Sequence, residues 1–396
     1  MKYKIILYIF AFLALFGDFL ANEKPIYFKY QDSHYFPILR GYLIDLGWSK
    51  PYTEWAGLKW QEIPFQKKLS TPIPYSYYTI DRNNMSYRSP FGSQNVDSNG
   101  YRHWLGTDAI GRDVFAGIIH GTRIAFLVGF IAMAIALVFG ITLGSISGYF
   151  GNDTIQIYHY DSIGIGLAII PSFYISFFGR ISQLWIGGGW KNWIVSFFLF
   201  FVLLFLFKKA FSFLRFISFL KKAVFVPLDS LIMRLIEIVD SIPTLLLLLS
   251  VLAILEKPSL FWVVAIIGLL SWTGIARLLR GEVLRIKKMA FVDSAKILGF
   301  GHWHILIKEI LPNAIQPIVV SISFGIAGTI LIEAFLSFLG IGGNPQLVTW
   351  GSMLNGARNY FAAWWLAVFP GLCIFLTVYS FNRLGEILNE TIDPDR

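Results

Sequence analysis

The sequence predicts an all-α polytopic membrane protein, and three observations carry that prediction. Apolar residues make up 56% of the chain and charged residues only 14%, where a soluble domain has about a quarter charged. Several runs with few or no charges approach the length of about 20 residues that lets a helix cross a bilayer with its backbone satisfied internally. Basic residues gather beside these runs, as the positive-inside rule describes. The net charge of +9 therefore requires no nucleic-acid partner. Cys373 lies alone inside an apolar run, which rules out a disulfide framework and a cysteine zinc site.

The first run, 5–21, follows Lys2 and Lys4 and is interrupted by Asp18. It ends in a poor small-x-small cleavage site, so residues 1–21 read as a retained first transmembrane helix rather than a signal peptide. Residues 22–122 are rich in Tyr, Trp and Pro. Pro25, Pro37, Pro51, Pro64, Pro72, Pro74 and Pro90 exclude a long helix or a central strand there. The expectation is an irregular extracytoplasmic cap whose aromatics anchor at headgroup level. Gly106 to Asp113 reads as a helix start capped by Thr107 or Asp108, with Arg112 and Asp113 in its first turns. This segment is a candidate gate or a contact for a soluble binding protein.

Residues 123–396 form the predicted transmembrane domain, with apolar runs at 124–152, 241–255, 259–276, 313–332 and 359–382. The second of these is short and gains length if 236–240 forms its entry turn; Glu256-Lys257-Pro258 reads as the turn after it. Residues 153–222 hold two further runs, 163–178 and 193–207, split by Arg180 and Gly187-Gly188-Gly189 and followed by Lys208, Lys209, Arg215, Lys221 and Lys222. Two extra crossings preserve the parity of everything downstream, whereas one reverses it. The chain thus has eight spans if this inserted hairpin enters the membrane and six if it stays at the interface; entry is the expectation.

Arg277, Arg280, Arg285, Lys287, Lys288, Lys296 and Lys308 lie between two late runs, whereas 333–358 offers only Arg358. That asymmetry places 281–312, and both termini, on the cytoplasmic side. Residues 281–298 carry helix formers with Val283, Ile286, Phe291 and Ile297 spread among them. Gly299 permits the left-handed turn that ends a helix. Trp303, Leu306, Ile307 and Ile310 then resume at helical spacing, and Leu311-Pro312 closes the segment. Two short helices at an angle, with an apolar ridge and a charged rim, suit the gripping of a soluble partner. The plainer reading is a helix lying flat on anionic lipid, but a glycine break followed by Leu-Pro favours a shaped plug. Asp240 and Glu333 are candidate pathway residues as charges within or beside spans, although both stand near span ends where snorkelling is cheap. His34, His103, His120, His159, His302 and His304 show no metal-ligand spacing. No G-x-x-x-x-G-K-[ST] stretch is present, so the chain lacks that means of cradling ATP phosphates.

From His103 to Pro394, with 153–222 as an apparent insertion, the sequence resembles the permease subunits of ATP-binding-cassette importers in the dipeptide, oligopeptide and nickel branch. That family places Glu-Ala-Ala, then three residues, then a Gly, with Leu-Pro a dozen residues beyond it. Here Asp293-Ser294-Ala295, Gly299 and Leu311-Pro312 occupy those slots, Asp and Ser being departures. Gly106-Thr107-Asp108-Ala-Ile-Gly111-Arg112-Asp113, Gly148-Tyr149-Phe150-Gly151, Ser271-Trp272, Ser337-Phe338-Leu339-Gly340 and Phe369-Pro370-Gly371 also fit, in order. The opening Phe19-Leu20-Ala21-Asn22-Glu23-Lys24-Pro25 looks like the subgroup that handles larger peptides such as microcin C. The resemblance implies six core helices of the type I importer permease fold in a bacterial inner membrane. It also implies a second homologous permease, two ATPase subunits docking on 293–312, and a soluble substrate-binding protein, with no cofactor. Asp293, Ser294, Ala295, Gly299, Trp303, Leu311 and Pro312 would form the coupling segment. The alternatives are a secondary transporter or channel acting alone, which favours inverted repeats, and a membrane-embedded enzyme, which needs a nucleophile–base pair or metal cluster.

Overall fold

The computed structural model describes residues 2–31, 33–52, 55, 60, 63, 65–96, 101–185, 190–254, 259–341 and 347–392. Glu256-Lys257-Pro258, Gly187-Gly188-Gly189 and Pro64, used in the sequence reading, lie outside these residues. The chain is mostly helical and divides into two compact units, 1–145 with 236–396, and 146–235.

The first unit opens with α1 (Lys2–Leu20). A small antiparallel sheet follows, made of β1 (Tyr27–Tyr30), β2 (Ser33–Tyr35) and β3 (Lys67–Leu69) in the order β2-β1-β3. Phe28 on the central strand faces Tyr35 on one side and Lys68 on the other. Between β2 and β3 runs the short helix α2 (Pro37–Asp45), with its proline in the first turn, where no N–H is required. The cap, expected to be irregular and partly packed, has an aromatic core, so these particular aromatics are buried in protein. Phe28, fully buried, gathers Tyr35, Trp55, Trp60 and Phe65 at ring-centroid distances of 4.9, 4.9, 6.0 and 4.4 Å. Too proline-rich for long elements, the segment stabilises itself by mutual aromatic burial instead.

Next comes α3 (Val114–Phe150), 37 residues long. The second unit, taken by itself, is a helical hairpin. The strands β4 (Gln156–Tyr158) and β5 (Ala223–Phe225) pair antiparallel at its base. From them rise α4 (His159–Phe173), continued by a π-helical turn at Tyr174–Phe178, then α5 (Ile181–Trp185), and α6 (Trp190–Ala210) returns. Gly164, Ala168, Ser172 and Ser176 recur every fourth residue and are buried, so α4 packs on α6 by a face of small residues.

The chain goes on through α7 (Leu228–Asp240), α8 (Thr244–Ile254), α9 (Leu260–Leu270), α10 (Trp272–Ile286), α11 (Ala290–Ile297) and α12 (His302–His304). A π-helical turn at Ile305–Ile310 leads into α13 (Leu311–Ala314), and α14 (Gln316–Phe338), α15 (Trp350–Asn359) and α16 (Trp365–Ile392) complete the order. Residues 236–240, expected as the entry turn of the next span, belong instead to α7, because the chain breaks at Ser241-Ile242-Pro243 before α8 begins. The proline at 243 lacks an N–H and disfavours helix at the preceding residue. Among the described residues seven helices are long and apolar enough to cross a bilayer, or eight with α7 and α8 counted as one broken span.

The core of the first unit lies around α3. Val128 and Ala132 pack with Leu248 and Leu252 of α8, Val263 and Ile267 of α9 and Leu336 of α14. Near its start, Val114 and Ile118 pack with Met353 and Ala357 of α15 and Trp365 and Leu366 of α16. Approach to α10 is closer still: a Cβ on Gly144 would stand 2.5 Å from the Ala276 carbonyl oxygen, and one on Gly140 2.7 Å from Ile275 Cβ. Gly140-x-x-x-Gly144 lets the two backbones nearly touch.

Candidate functional site

The segment from α11 to α13 is a glycine elbow. α11 ends at Ile297 with Leu298 as its C-cap, and Gly299 has φ +80°. The Gly299 N–H donates to the Lys296 carbonyl at 3.0 Å and the Phe300 N–H to the Ala295 carbonyl at 3.2 Å, a Schellman stop. Nothing surrounds a Cβ placed on Gly299, so backbone conformation alone calls for glycine there. The expected first helix, 281–298, is corrected to two: α10 runs down from the membrane domain to Ile286, a turn at 287–289 intervenes, and only α11 belongs to the elbow. The expected second helix is also altered, as Ile305–Ile310 is π-helical and runs directly into α13.

Two faces result. Val292, Ala295, Ile305, Leu306 and Ile310 are buried, where α11 closes on the π-helical turn, and α13 joins the elbow to α10 and α14. Ile297, Leu298, Phe300, Trp303 and Ile307 are exposed and ring the glycine. Asp293 pairs with Lys296 at 2.7 Å on the exposed rim. Ser294 Oγ donates to the Ala290 carbonyl at 3.1 Å, turning its hydroxyl back along the helix. Leu311 is half-buried and Pro312 exposed at the far end. All the sequence-predicted coupling residues thus fall on one elbow, Ala295 as an inner support.

The second cluster precedes α3. His103 is fully buried, with Nδ1 2.8 Å from Asp113 Oδ2 and Nε2 3.1 Å from Asp81 Oδ2. Burial pulls the imidazole pKa down, but the hydrogen bonds and charges of Asp113 and Asp81 outweigh it and leave the value raised. Asp81 feels burial in the opposite sense, yet hydrogen bonds from Asn84, His103 and the Asn83 N–H hold it below the usual carboxylate range. When protonated, the ring can donate to both acids. Asp113 is also the cap of α3, its Oδ1 accepting from the Ala116 N–H at 2.7 Å. The helix therefore starts at Val114, and the expectation that Thr107 or Asp108 caps it is corrected. Thr107, buried, donates to the Asn84 carbonyl at 2.8 Å and accepts from the Arg88 N–H at 2.9 Å. Asp108 caps a turn, accepting from the Ile110 and Arg112 N–H groups at 3.0 and 2.9 Å and pairing with Arg112 Nε at 2.7 Å. Gly111 must be glycine: its φ is +87° and a Cβ would lie 2.2 Å from the Asp81 carbonyl oxygen. Trp365 Nε1 donates to the Thr107 carbonyl at 3.0 Å, tying the cluster to α16. Sequence reading missed Asp81 and the role of His103, because the partners stand far apart in the chain.

The two candidate pathway charges have internal partners. Asp240 pairs with Arg277 of α10. Glu333 is buried and accepts from Ser337 Oγ at 2.7 Å within α14.

A multi-pass membrane domain with a protruding glycine elbow defines a transport permease in class. The comparisons with known proteins agree. Residues 216–394 match the model of the binding-protein-dependent transport system inner membrane component. The chain is 33% identical to the dipeptide transport system permease protein DppC of Haemophilus influenzae, over 73% of each. It is 31% identical to the glutathione transport system permease protein GsiD of Pectobacterium atrosepticum, over 74% of this chain and 72% of the relative. With the peptidoglycan transport system permease protein YejE of Agrobacterium fabrum it shares 27% identity over 97% of this chain and 86% of the relative. The chain belongs to the family of binding-protein-dependent transport system inner membrane components and has the type I importer permease fold.

Proposed function

We propose that this chain is the permease subunit of an ATP-driven importer of peptides, energised at the elbow 293–312 by separate ATPase subunits. The observation that carries the reading is the elbow itself: a rigid Schellman stop at Gly299 presenting Ile297, Leu298, Phe300, Trp303 and Ile307 to solvent, while its other face is anchored in the membrane domain. Exposed apolar residues on a protruding segment mark an interaction site, and in a family fed by binding proteins the moving partner is an ATPase. Peptide cargo follows from the relatives, whose names specify dipeptide, glutathione and peptidoglycan transport.

The basic residues of 277–308 assign the elbow and both termini to the cytoplasm and 22–122 to the outside of the inner membrane. On that topology the transmembrane domain covers 123–396, the hairpin inserted at 153–222 adds two spans, and a second homologous permease completes the pathway. The clasp around Thr107, Asp108, Arg112 and Asp113 then stands at the outer end of α3, where a binding protein delivers ligand. Asp240 and Glu333, being paired or buried, act in this reading as braces of the pathway helices rather than as ligand contacts.

The test is ATP hydrolysis by the complex of permeases, ATPases and binding protein in proteoliposomes. Gly299→Pro and Asp293→Lys should each remove the peptide-stimulated part and uptake with it. Unchanged stimulation in both, or uptake driven by an ion gradient without ATP, would overturn the proposal.

A further inference from the structure

Helix α2 carries an apolar stripe that the described residues leave uncovered. Phe36, Leu39, Leu43 and Leu46 are exposed, at 46, 49, 41 and 60%. At 100° per residue they fall within an arc of about 80°. On the opposite side Ile38 is buried against the protein, whereas Asp45, near the end of the helix, is exposed. Gly47, at φ +75°, ends the helix: its N–H donates to the Ile44 carbonyl at 2.9 Å and the Trp48 N–H to the Leu43 carbonyl at 2.8 Å. This second Schellman stop returns Trp48, 76% exposed, to the end of the stripe beside Leu43.

The height of α2 is set by α1. Tyr42 Oη donates to Asp18 Oδ2 at 2.5 Å, and Phe19 stacks on Tyr42 at 6.4 Å. Burial first, and then the Asp18 carboxylate, push the Tyr42 hydroxyl up to about 12, so it remains a donor. Asp18 also accepts from Arg123 Nη1 of α3 at 2.9 Å. These bonds hold α2 at the last turn of α1, where a spanning helix leaves the hydrocarbon. The exposed face of α1, with Tyr8, Ile9, Phe12, Leu15 and Phe16, lies at bilayer depth if α1 spans the membrane. It continues to α2 through Phe16–Phe19 and Phe19–Tyr42, each at 6.4 Å.

We propose that α2 is an interfacial helix, lying in the bilayer plane with Phe36, Leu39, Leu43, Leu46 and Trp48 sunk into the headgroup–acyl boundary at the end of α1. The surface has the build of a monotopic anchor: an apolar stripe, a tryptophan at its end and a polar flank. Arg40 supplies that flank, turned away from the stripe with its Nε donating to the Lys50 carbonyl at 3.0 Å and its guanidinium 3.8 Å from the Tyr52 ring centroid. The aromatic cap built on Phe28 is consequently held down along the leaflet, and the clasp before α3 keeps a fixed height above it.

The inference rests on α1 spanning the membrane and is independent of the cargo. Full-length chain in the assembled complex, with Cys373→Ala, is labelled with bimane at Leu39→Cys, Leu43→Cys or, as the opposite-face control, Asp45→Cys. It is reconstituted in liposomes containing phospholipid nitroxide-labelled at a shallow or a deep acyl carbon. The expected result is several-fold stronger quenching by the shallow nitroxide at positions 39 and 43 than at 45, with iodide quenching in the reverse order. Iodide quenching at 39 and 43 equal to that at 45, without lipid quenching, would overturn the proposal. Protection of 39 and 43 from both quenchers would also overturn it, and would assign the stripe to a protein partner.

Discussion

At the residue scale, two side-chain choices answer to distinct physical demands. Gly299 is required by its positive φ and by nothing around it. Gly299→Ala should therefore cost only about 1–2 kcal/mol locally, leaving reduced but measurable peptide-stimulated ATP hydrolysis where Gly299→Pro leaves none. His103 is required by two acids. Because its folded pKa is raised, the clasp contributes fully below the ordinary imidazole value of 6.5 and loses that contribution as pH rises through the raised value. Asp81 works in the opposite sense, its contribution being lost as pH falls through a value below the ordinary 3.8. Amide hydrogen exchange at the start of α3, corrected for the intrinsic pH dependence, should show most protection between those limits and a loss on the alkaline side. His103→Ala, which strips two acids of their partner, should cost about 1–3 kcal/mol and abolish the alkaline step.

At the element scale, the contact of α3 with α10 depends on absent side chains. Gly144→Val would place carbon 2.5 Å from a backbone oxygen that no rotamer change can move, so the helices must separate. Thermal unfolding in detergent should show a loss at or beyond the about 1–3 kcal/mol of ordinary overpacking. Gly281→Ala, in open space within α10, should instead be neutral or stabilising by up to about 1 kcal/mol. The elements legible in the sequence were those with strong, local signals: the long apolar runs and the glycine stop. The entry of α8 was misread because an apolar stretch before a Ser-Ile-Pro break looks like one run. The start of α3 was misread because Thr107 and Asp108 are good caps by type, while Thr107 is engaged by Asn84 and Arg88 and Asp108 by Ile110 and Arg112.

At the scale of the whole molecule, the elbow and the cap stand on opposite sides of the bilayer in the proposed topology. In a Cys373→Ala background, a membrane-impermeant thiol reagent applied to intact spheroplasts should label Arg82→Cys and should leave Lys296→Cys unlabelled until the membrane is permeabilised. Labelling of Lys296→Cys in intact spheroplasts would invert the topology and detach the elbow from any cytosolic ATPase.

Sequence alone determined that this is a helical membrane protein, where its glycine elbow lies and which branch of importer permeases it resembles. Those properties are written in composition, charge asymmetry and short motifs, each readable within one helix or one loop. Only the tertiary structure decided that the cap has an aromatic core, that His103 is held between Asp81 and Asp113, and that Asp18 joins Tyr42 of α2 to Arg123 of α3. These depend on residues distant in the chain meeting in space, and hydrogen-bond partners that far apart leave no periodic trace in the sequence.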